Sequence, residues 1–310
     1  MKNLRVVFMG TPDFAVPVLK TLIENTNVEL VVTQPDALVG RKKILTPSPI
    51  KQIALENNIE VFTPYNIKED YDRIIEVNPD IIITCAYGQI IPKILLDLPK
   101  HKCVNVHASL LPKYRGGAPI HASILNGDDE TGITIMYMDT GMDNGNIIKQ
   151  ESIKIENNDN INTLSDKLSK LGAKLLIETL PSILDGTCES IKQEEDKVTL
   201  AYIIKRKDEL IDFNKSYKEI FNKVRALLPR SYFVLNDIEY KVVNIRYEKN
   251  MSEVGKINNI YKDGIGIGCS DGEVVITEFI PSGKKQMLVS QYLNGIDKNK
   301  ILGVSVNEER

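Results

Sequence analysis

The stretch Asp80-Ile81-Ile82-Ile83-Thr84-Cys85-Ala86 decides the fold of this chain. Its apolar side chains follow one another almost without interruption, which is typical of a strand that is buried on both faces of a parallel sheet. Other apolar runs predict further strands, at residues 4–9, Val28–Val32, Ile59–Phe62, Cys103–His107 and Thr134–Met138.

Segments with a helical spacing of apolar residues separate these strands. They predict helices at Asp13–Asn25, Pro49–Asn57 and Lys68–Val77, and a long amphipathic helix at 163–185 that Pro181 should bend or restart. Strands that alternate with helices indicate an α/β fold with a doubly wound, mostly parallel sheet. The first strand is followed by a single Gly10 and not by a Gly-x-Gly-x-x-Gly turn, which argues against a nicotinamide-dependent oxidoreductase.

The C-terminal part of the chain has a different pattern. Residues 186–207 are polar and charged with little periodicity, so we expect a linker there. After the linker, short β-like runs alternate with turns from Ser231 onward, which predicts a small β-barrel. The expected organisation is therefore an α/β domain at 1–185, a linker at 186–207 and a second domain at 208–310.

Length and composition suit a two-domain protein of ordinary apolar content, with 310 residues, four cysteines and three histidines. The cysteines show no CxxC pairing, so we expect reduced thiols and no metal site. No apolar run approaches the roughly 20 residues that a membrane helix needs. The first strand begins almost at once, so we expect no signal peptide, and we predict a cytoplasmic monomer that does not bind membranes.

Two polar residues lie two positions apart in the predicted strand Cys103–His107. Asn105 and His107 should therefore point to the same face. A Gly-containing loop at 139–145 adds the carboxylate of Asp143. Each residue alone also fits an ordinary turn, core or surface role, but together an amide, an imidazole and a carboxylate can stabilise an oxyanion and move a proton.

The segment Asn105-Val106-His107-Ala108-Ser109-Leu110-Leu111-Pro112 resembles the signature of the folate-dependent formyltransferases, and the later loop with Met142, Asp143 and Gly145 resembles theirs. Within that family, the chain resembles the methionyl-tRNA formyltransferases in particular. This similarity is carried by residues 7–15, 33–36, 40–41, 47–51, 86–92, 117–120 and 130–136. It is dense to about residue 150 and thinner beyond.

The resemblance implies transfer of a formyl group from the co-substrate 10-formyltetrahydrofolate to the α-amine of methionine on initiator tRNA, for translation initiation and without a metal. Asn105 and His107 would donate to the oxyanion, and Asp143 would either accept the amine proton through a water or hold His107 charged. Residues that would hold the folate, mainly through their backbone, or support its site are Tyr87, Gly88, Gln89, Ile90, Ile91, Ser109, Leu110, Leu111, Pro112 and Asp139.

For the tRNA, the resemblance implies contacts from Phe14, from the basic run Arg41, Lys42 and Lys43, and from an OB-like C-terminal domain. Residues 205–310 carry 18 Lys and Arg against 15 Asp and Glu, a small excess that suits a polyanionic partner but that an ordinary surface would also show. Lys42 replaces a common Gly, and Ala122 stands where Arg is frequent. The chain also has no Trp, so it lacks the Trp-containing segment that is frequent in the C-terminal domain.

Three other readings remain. A sugar-nucleotide N-formyltransferase shares the Asn, His and Asp, but the basic run and the Gly-Gly-Ala-Pro-Ile segment favour tRNA. A glycinamide ribonucleotide formyltransferase is expected to lack the C-terminal barrel. A tRNA- or folate-binding protein without catalysis would have no need of Asn105, His107 and Asp143 together.

Overall fold

The computed structural model describes residues 1–40 and 42–308. Its contacts divide the chain into two compact units. The first unit comprises Met1–Pro119, Glu130–Lys154 and Thr163–Tyr202, and the second comprises Ile120–Asp129, Ile155–Asn162 and Ile203–Arg310.

The first unit is built on a seven-stranded sheet. The strands of this unit are β1 (Arg5–Gly10), β2 (Asn27–Val32), β3 (Ala37–Val39), β4 (Ile44–Thr46), β5 (Glu60–Phe62), β6 (Ile81–Cys85), β7 (Cys103–His107), β8 (Arg115–Gly116), β9 (Glu130–Tyr137), β10 (Ile147–Lys154) and β11 (Leu200–Ala201). The order in the main sheet is β10-β9-β7-β6-β1-β2-β5, with β3 and β4 forming a separate hairpin and β8 pairing with β11.

Five strands of the main sheet run parallel, and β9 and β10 are antiparallel additions at one edge. The helices of the first unit are α1 (Val16–Asn25), α2 (Pro49–Glu56), α3 (Asp72–Val77), α4 (Lys93–Leu96) and most of α6 (Ile161–Asp185). Helix α5 (Pro119–Leu125) belongs to the second unit except for its first residue. From β1 the chain builds outward through β2 to β5 and then returns to the other side of β1 with β6 and β7. Ligands bind at such a reversal, outside the carboxyl ends of the strands.

The predicted doubly wound α/β fold is confirmed. Every residue of β6 is buried, and Val7, Met9, Leu30 and Ile82 belong to one apolar cluster on the sheet. The uninterrupted apolar run is therefore explained by burial on both faces, and it places the carboxyl end of β6 beside that of β1.

The structure refines the predicted helices in two places. Helix α6 is continuous through Pro181, so of the predicted bend or restart the restart does not occur. Pro181 is exposed between the buried Leu180 and Ile183, so packing on the opposite face retains the helix while water can solvate the carbonyl freed by the proline. Helix α3 begins at Asp72 and not at Lys68, because residues 66–70 form a turn closed by the N–H of Asp70 on the carbonyl of Asn66.

The second unit contains a curled antiparallel sheet of OB-like character, as the β-rich rhythm of the sequence predicts. Its strands are β12 (Tyr232–Leu235), β13 (Ile238–Glu248), β14 (Ile257–Ile260), β15 (Ile265–Cys269), β16 (Gly272–Pro281) and β17 (Met287–Leu288), in the order β12-β13-β16-β15-β14 with β17 on β16. Helices α7 (Tyr217–Ala226) and α8 (Val289–Leu293) accompany the sheet. Phe233, Tyr240 and Phe279 lie at the centre of its apolar core.

Segment 186–207, predicted as a linker, is divided between the two units. Residues up to Tyr202 cluster with the first unit, where β11 pairs with β8, and residues from Ile203 cluster with the second unit. Within the part of the chain that the structure describes, none of the helices has the length and apolar character needed to span a membrane.

Candidate active site

Asn105 and His107 lie in β7 and approach the same carboxylate. The amide nitrogen of Asn105 is 3.5 Å from Oδ1 of Asp143, and Nδ1 of His107 is 3.6 Å from Oδ2. The period of two along the strand therefore places both side chains on one face, and the 139–145 loop brings Asp143 to them. Each carboxylate oxygen faces one of the two polar side chains.

The His107 ring is held by its other nitrogen. Nε2 lies 3.0 Å from the carbonyl oxygen of Tyr114, which can only accept a hydrogen bond, so Nε2 carries a proton. The side chain is only 6% exposed. With Nε2 occupied, Nδ1 is the nitrogen that faces Asp143, and a second proton there would make the ring an imidazolium beside a carboxylate.

The Asn105 amide is oriented by Thr84, which lies on the neighbouring strand β6. The Thr84 hydroxyl donates to Oδ1 of Asn105 at 2.8 Å. Because the amide oxygen is occupied in this way, the NH₂ group points towards Asp143 and is the part available to an incoming acceptor. Thr84 itself is buried, so water competes little for this bond.

Asp143 is held by a hydrogen bond to its carboxylate and by the conformation of its backbone. The N–H of Gly116 donates to Oδ2 at 2.9 Å. The backbone of Asp143 has φ +49°, in the left-handed region that aspartate tolerates better than most residues. Two residues later, a Cβ on Gly145 would lie 1.9 Å from the carbonyl oxygen of Tyr137, so no other residue fits where the loop returns to β9.

The segment 109–112 links His107 to Tyr114 and is held by hydrogen bonds to its neighbours. The Ser109 hydroxyl donates to the carbonyl of Lys113 at 2.6 Å, and the Thr134 hydroxyl donates to the carbonyl of Ser109 at 2.6 Å. Ser109 and Leu111 are buried, while Leu110 and Pro112 are partly exposed. These bonds shape the turn that presents the Tyr114 carbonyl to His107.

The segment Tyr87–Ile91 follows β6 and offers main-chain groups to a ligand. Among the described residues, no hydrogen bond involves the backbone N–H groups of residues 88–91 or the carbonyls of residues 89–91. Gly88 has φ +90°, and the space beside it is open to 3.8 Å. The Gln89 side chain instead accepts from the N–H of Ile67 at 2.8 Å and so holds the neighbouring loop.

The hydroxyl of Tyr87 is buried without a hydrogen-bond partner among the described residues. Burial also raises the pKa of Tyr87, so the group stays a neutral hydroxyl. The main-chain amides and carbonyls of residues 88–91, unpaired among the described residues, fit a flat heterocycle with amide-like edges such as a pteridine.

Asp139 is exposed at the end of β9, where its carboxylate accepts from the N–H of Thr140 at 2.7 Å. A cleft of about 580 Å³ opens between the 137–146 segment and helix α4. Tyr137 lines this cleft, and burial, with the nearby Cys188 thiol, raises its pKa to about 12. The 139–145 loop therefore has the catalytic carboxylate candidate on one side and open space on the other.

The residues predicted to contact tRNA lie apart from the Asn105–Asp143 cluster in sequence. Phe14 is partly exposed in a short 3₁₀ helix directly after β1. Lys42 and Lys43 are exposed in the turn between β3 and β4, whereas Arg41 lies outside the described residues. That hairpin also exposes four apolar side chains, those of Leu38, Val39, Ile44 and Leu45.

Three groups of the site were not predicted: the Thr84 hydroxyl, the Tyr114 carbonyl and the Gly116 N–H. Thr84 had a visible signal, because it is the one hydroxyl residue in the apolar stretch 80–86. The backbone groups had none, because their positions depend on how the loop after β7 folds.

The chain matches known proteins over almost its whole length. A family model described as formyl transferase matches residues 3–180, and one described as formyl transferase, C-terminal domain, matches residues 203–297. Proteins named methionyl-tRNA formyltransferase from Staphylococcus aureus strains MW2 and JH1 are 46% identical over 310 residues, covering 96% of this chain and 98% of theirs.

Solved structures share the fold at lower identity. The sugar 3N-formyl transferase WlaRD superposes with a TM-score of 0.65 at 23% identity, over 92% of this chain and 100% of its own. An N-formyltransferase from Helicobacter canadensis gives a TM-score of 0.65 at 24% identity, over 89% and 99%. These two likenesses support the fold, and the much higher identity lies with the relatives named for methionyl-tRNA. The chain therefore belongs to the formyl transferase family, in the group of the methionyl-tRNA formyltransferases.

Proposed function

We propose that this protein transfers the formyl group of 10-formyltetrahydrofolate to the α-amine of methionine on initiator tRNA. The observation that carries the proposal is the convergence of Asn105 and His107 on Asp143 at 3.5 and 3.6 Å. The 46% identity to the named relatives across 96% of the chain supports the choice of tRNA as acceptor. We further propose that the protein acts as a cytoplasmic monomer.

In the proposed reaction, the methionyl amine attacks the formyl carbon and the formyl oxygen becomes an anion. The NH₂ group of Asn105 is positioned to donate to this oxygen because Thr84 holds the amide oxygen away. His107 donates through Nδ1 once that nitrogen is protonated, since Nε2 is bound to Tyr114. One such donor is typically worth about 10²–10³ in rate.

Asp143 helps to remove the proton that the attacking nitrogen must lose. Its carboxylate stands 3.6 Å from Nδ1 of His107 and can pair with that nitrogen when it carries a proton. It is also part-exposed, so a water bound to it can carry the amine proton away. The proton finally reaches N10 of the departing tetrahydrofolate, and the new C–N bond replaces the broken one.

For the folate, we propose the site between the 87–91 segment and the 139–143 loop. The main-chain groups of residues 88–91, unpaired among the described residues, supply the amide-like partners that a pteridine requires. Gly88 leaves space for a ring to approach the backbone. Residues 109–112 support this site by holding the turn after β7.

For the tRNA, we propose that the β3–β4 hairpin and Phe14 contact the acceptor arm and that the C-terminal domain adds further contacts. The hairpin presents Lys42 and Lys43 at its turn, with exposed apolar side chains on both strands, and an apolar patch of this kind marks an interaction surface. We propose residues 1–185 as the catalytic domain, 186–207 as the linker and 208–310 as the tRNA-contacting domain.

The test is acceptor choice. The protein is incubated with 10-formyltetrahydrofolate and either methionyl initiator tRNA or a dTDP-linked amino sugar, and formylation is read by acid-gel mobility for the tRNA and by mass for the sugar nucleotide. We expect the tRNA alone to be formylated. Formylation of the sugar nucleotide alone would replace this proposal with the sugar-nucleotide enzyme, and formylation of neither would favour a binding protein.

Replacing Thr84 by valine is expected to lower turnover about tenfold, which corresponds to the roughly 1.4 kcal/mol of one well-placed hydrogen bond. Valine retains the shape and apolar packing of the buried side chain but leaves the Asn105 amide free to rotate. Thr84→Ser keeps the hydroxyl and is the matched control, expected near the wild-type rate. The measurement is the single-turnover rate of wild type, Thr84→Val and Thr84→Ser. Equal rates for Thr84→Val and wild type would contradict the assigned orientation of the Asn105 amide.

Replacing both Lys42 and Lys43 by alanine is expected to weaken tRNA binding and to flatten the plot of log affinity against log salt by about one unit for each phosphate that the variant no longer neutralises. Folate binding should not change, because the hairpin lies outside the proposed folate site. The control is Lys170→Ala, an exposed lysine on α6. A salt slope that is the same in the hairpin variant as in wild type would remove the hairpin from the tRNA interface.

A further inference from the structure

We infer that Gln193 and Arg115 form a positioning pair that fixes the Asp143 loop for catalysis. Gln193 begins a segment far along the chain, residues 193–201, which is called the strap below. The inference rests on the proposed function in so far as Asp143 is the group that is positioned. The strap contacts both the loop that carries Asp143 and the segment that anchors His107.

Gln193 is bonded to the Asp143 loop on both sides of the carboxylate residue. Its Nε2 donates to the carbonyl of Asp143 at 2.7 Å and to the carbonyl of Gly145 at 2.8 Å. Both N–H groups of one amide are therefore used on the same loop. The side chain is 4% exposed, so water competes little for these bonds.

Arg115 determines which way the Gln193 amide points. Its Nε donates to Oε1 of Gln193 at 2.9 Å, which leaves Nε2 facing the loop. The guanidinium is 8% exposed and makes two further bonds to the exposed carboxylate of Glu195, at 3.0 and 3.3 Å. These bonds lower the pKa of Glu195 and keep the arginine side chain in one orientation.

The strap also holds the backbone around His107 and Asp143. Thr199 accepts from the N–H of Tyr114 at 2.9 Å through its hydroxyl and from the N–H of Arg115 at 2.9 Å through its carbonyl. Gly116, which donates to Oδ2 of Asp143, lies so close to Ala201 that a Cβ would be 2.7 Å from the Ala201 carbonyl oxygen. One segment thus fixes the Tyr114 carbonyl on His107 and the Gly116 N–H on Asp143.

The physical consequence is preorganisation of a loop that would otherwise be free. Asp143 stands among Gly141 and Gly145, whose backbones have many accessible conformations. A catalytic carboxylate that moves by about 1 Å can lose about 10²-fold in rate. Gln193 and Arg115 restrict that movement from outside the reacting centre, so they act through Asp143 and do not touch the substrates.

The first test measures the loop itself. Gln193→Met keeps the length of the side chain and removes all three of its hydrogen bonds. Amide hydrogen exchange of peptides covering 139–146 is compared in wild type, Gln193→Met and Gln52→Met, the last being an exposed glutamine on α2. We expect exchange in 139–146 to become at least about tenfold faster in Gln193→Met alone. Unchanged exchange would overturn the inference whatever the activity of the protein.

The second test uses turnover. Gln193→Met is expected to lower kcat by about 10- to 100-fold at a temperature where all variants are folded, because the carboxylate is no longer held. In an Asp143→Asn background the same change should cause no further loss, since the positioned group is already gone. An equal loss in both backgrounds, or a wild-type kcat in Gln193→Met, would overturn positioning through Asp143. Absence of formyl transfer in wild type would contradict the proposed function. The hydrogen-exchange experiment would still show whether Gln193 holds the 139–146 loop.

Discussion

Replacing Asp143 by asparagine is expected to reduce formyl transfer by about 10³-fold or more across the accessible pH range, more than the loss of one oxyanion donor. The amide keeps the shape of the side chain but can neither accept a proton nor pair with an imidazolium at His107. The measurement is single-turnover formylation of methionyl initiator tRNA at several pH values, beside a thermal melt of each protein.

Folate binding separates a catalytic role from a ligand role for this carboxylate. Because its oxygens face Asn105, His107 and the Gly116 N–H, we expect the Asp143→Asn protein to bind 10-formyltetrahydrofolate nearly as tightly as wild type. Normal turnover combined with weak folate binding would show that Asp143 is only a ligand contact.

Alanine at His107 or at Asn105 is expected to reduce turnover by about 10²-fold or more, as loss of an oxyanion donor usually does. The two residues face different oxygens of Asp143, so each variant removes a different donor while the carboxylate stays. Single-turnover rates and thermal melts are measured together, because His107 is buried and its removal also affects packing.

A matched variant for this experiment is His101→Ala. His101 precedes β7 and therefore lies at the other end of the strand from His107. Its replacement should leave turnover within about twofold of wild type, as for a surface change away from the site. Near-normal turnover in both His107→Ala and Asn105→Ala would remove the oxyanion assignment.

The parts of the fold that the sequence predicted are those whose pattern is set by burial. Strand β6 is apolar throughout because both of its faces are covered, and the β-rich second unit was predicted because short β-like runs alternate with turns after Ser231. Strand β10 was missed because it lies at the edge of the sheet with exposed polar side chains. The β3–β4 hairpin was missed for a related reason, since its apolar residues are exposed and no core explains them.

The residues of the site likewise fall into those that a local pattern predicted and those that it did not. Asn105 and His107 were placed on one face by the period of a strand, which is a local property. That Asp143 meets both of them depends on the path of a loop whose glycines permit many conformations. The residues suggested the combination, and the resemblance to a family gave it the most support. The roles of Tyr114, Gly116 and Gln193 depend on contacts up to 85 residues apart in sequence, such as the bond from the N–H of Tyr114 to Thr199. Such contacts leave no periodic signal.

The central claim is tested most directly by following a labelled formyl group. 10-Formyltetrahydrofolate labelled in the formyl carbon is mixed with excess protein and methionyl initiator tRNA, and the label on the tRNA is measured over one turnover for wild type and Asp143→Asn. We predict that wild type places one label per tRNA on the methionine α-amine and that Asp143→Asn transfers it at least about 10³-fold more slowly. Label that stays on the folate in the wild-type reaction, or that reaches the tRNA equally fast in both proteins, would contradict the account.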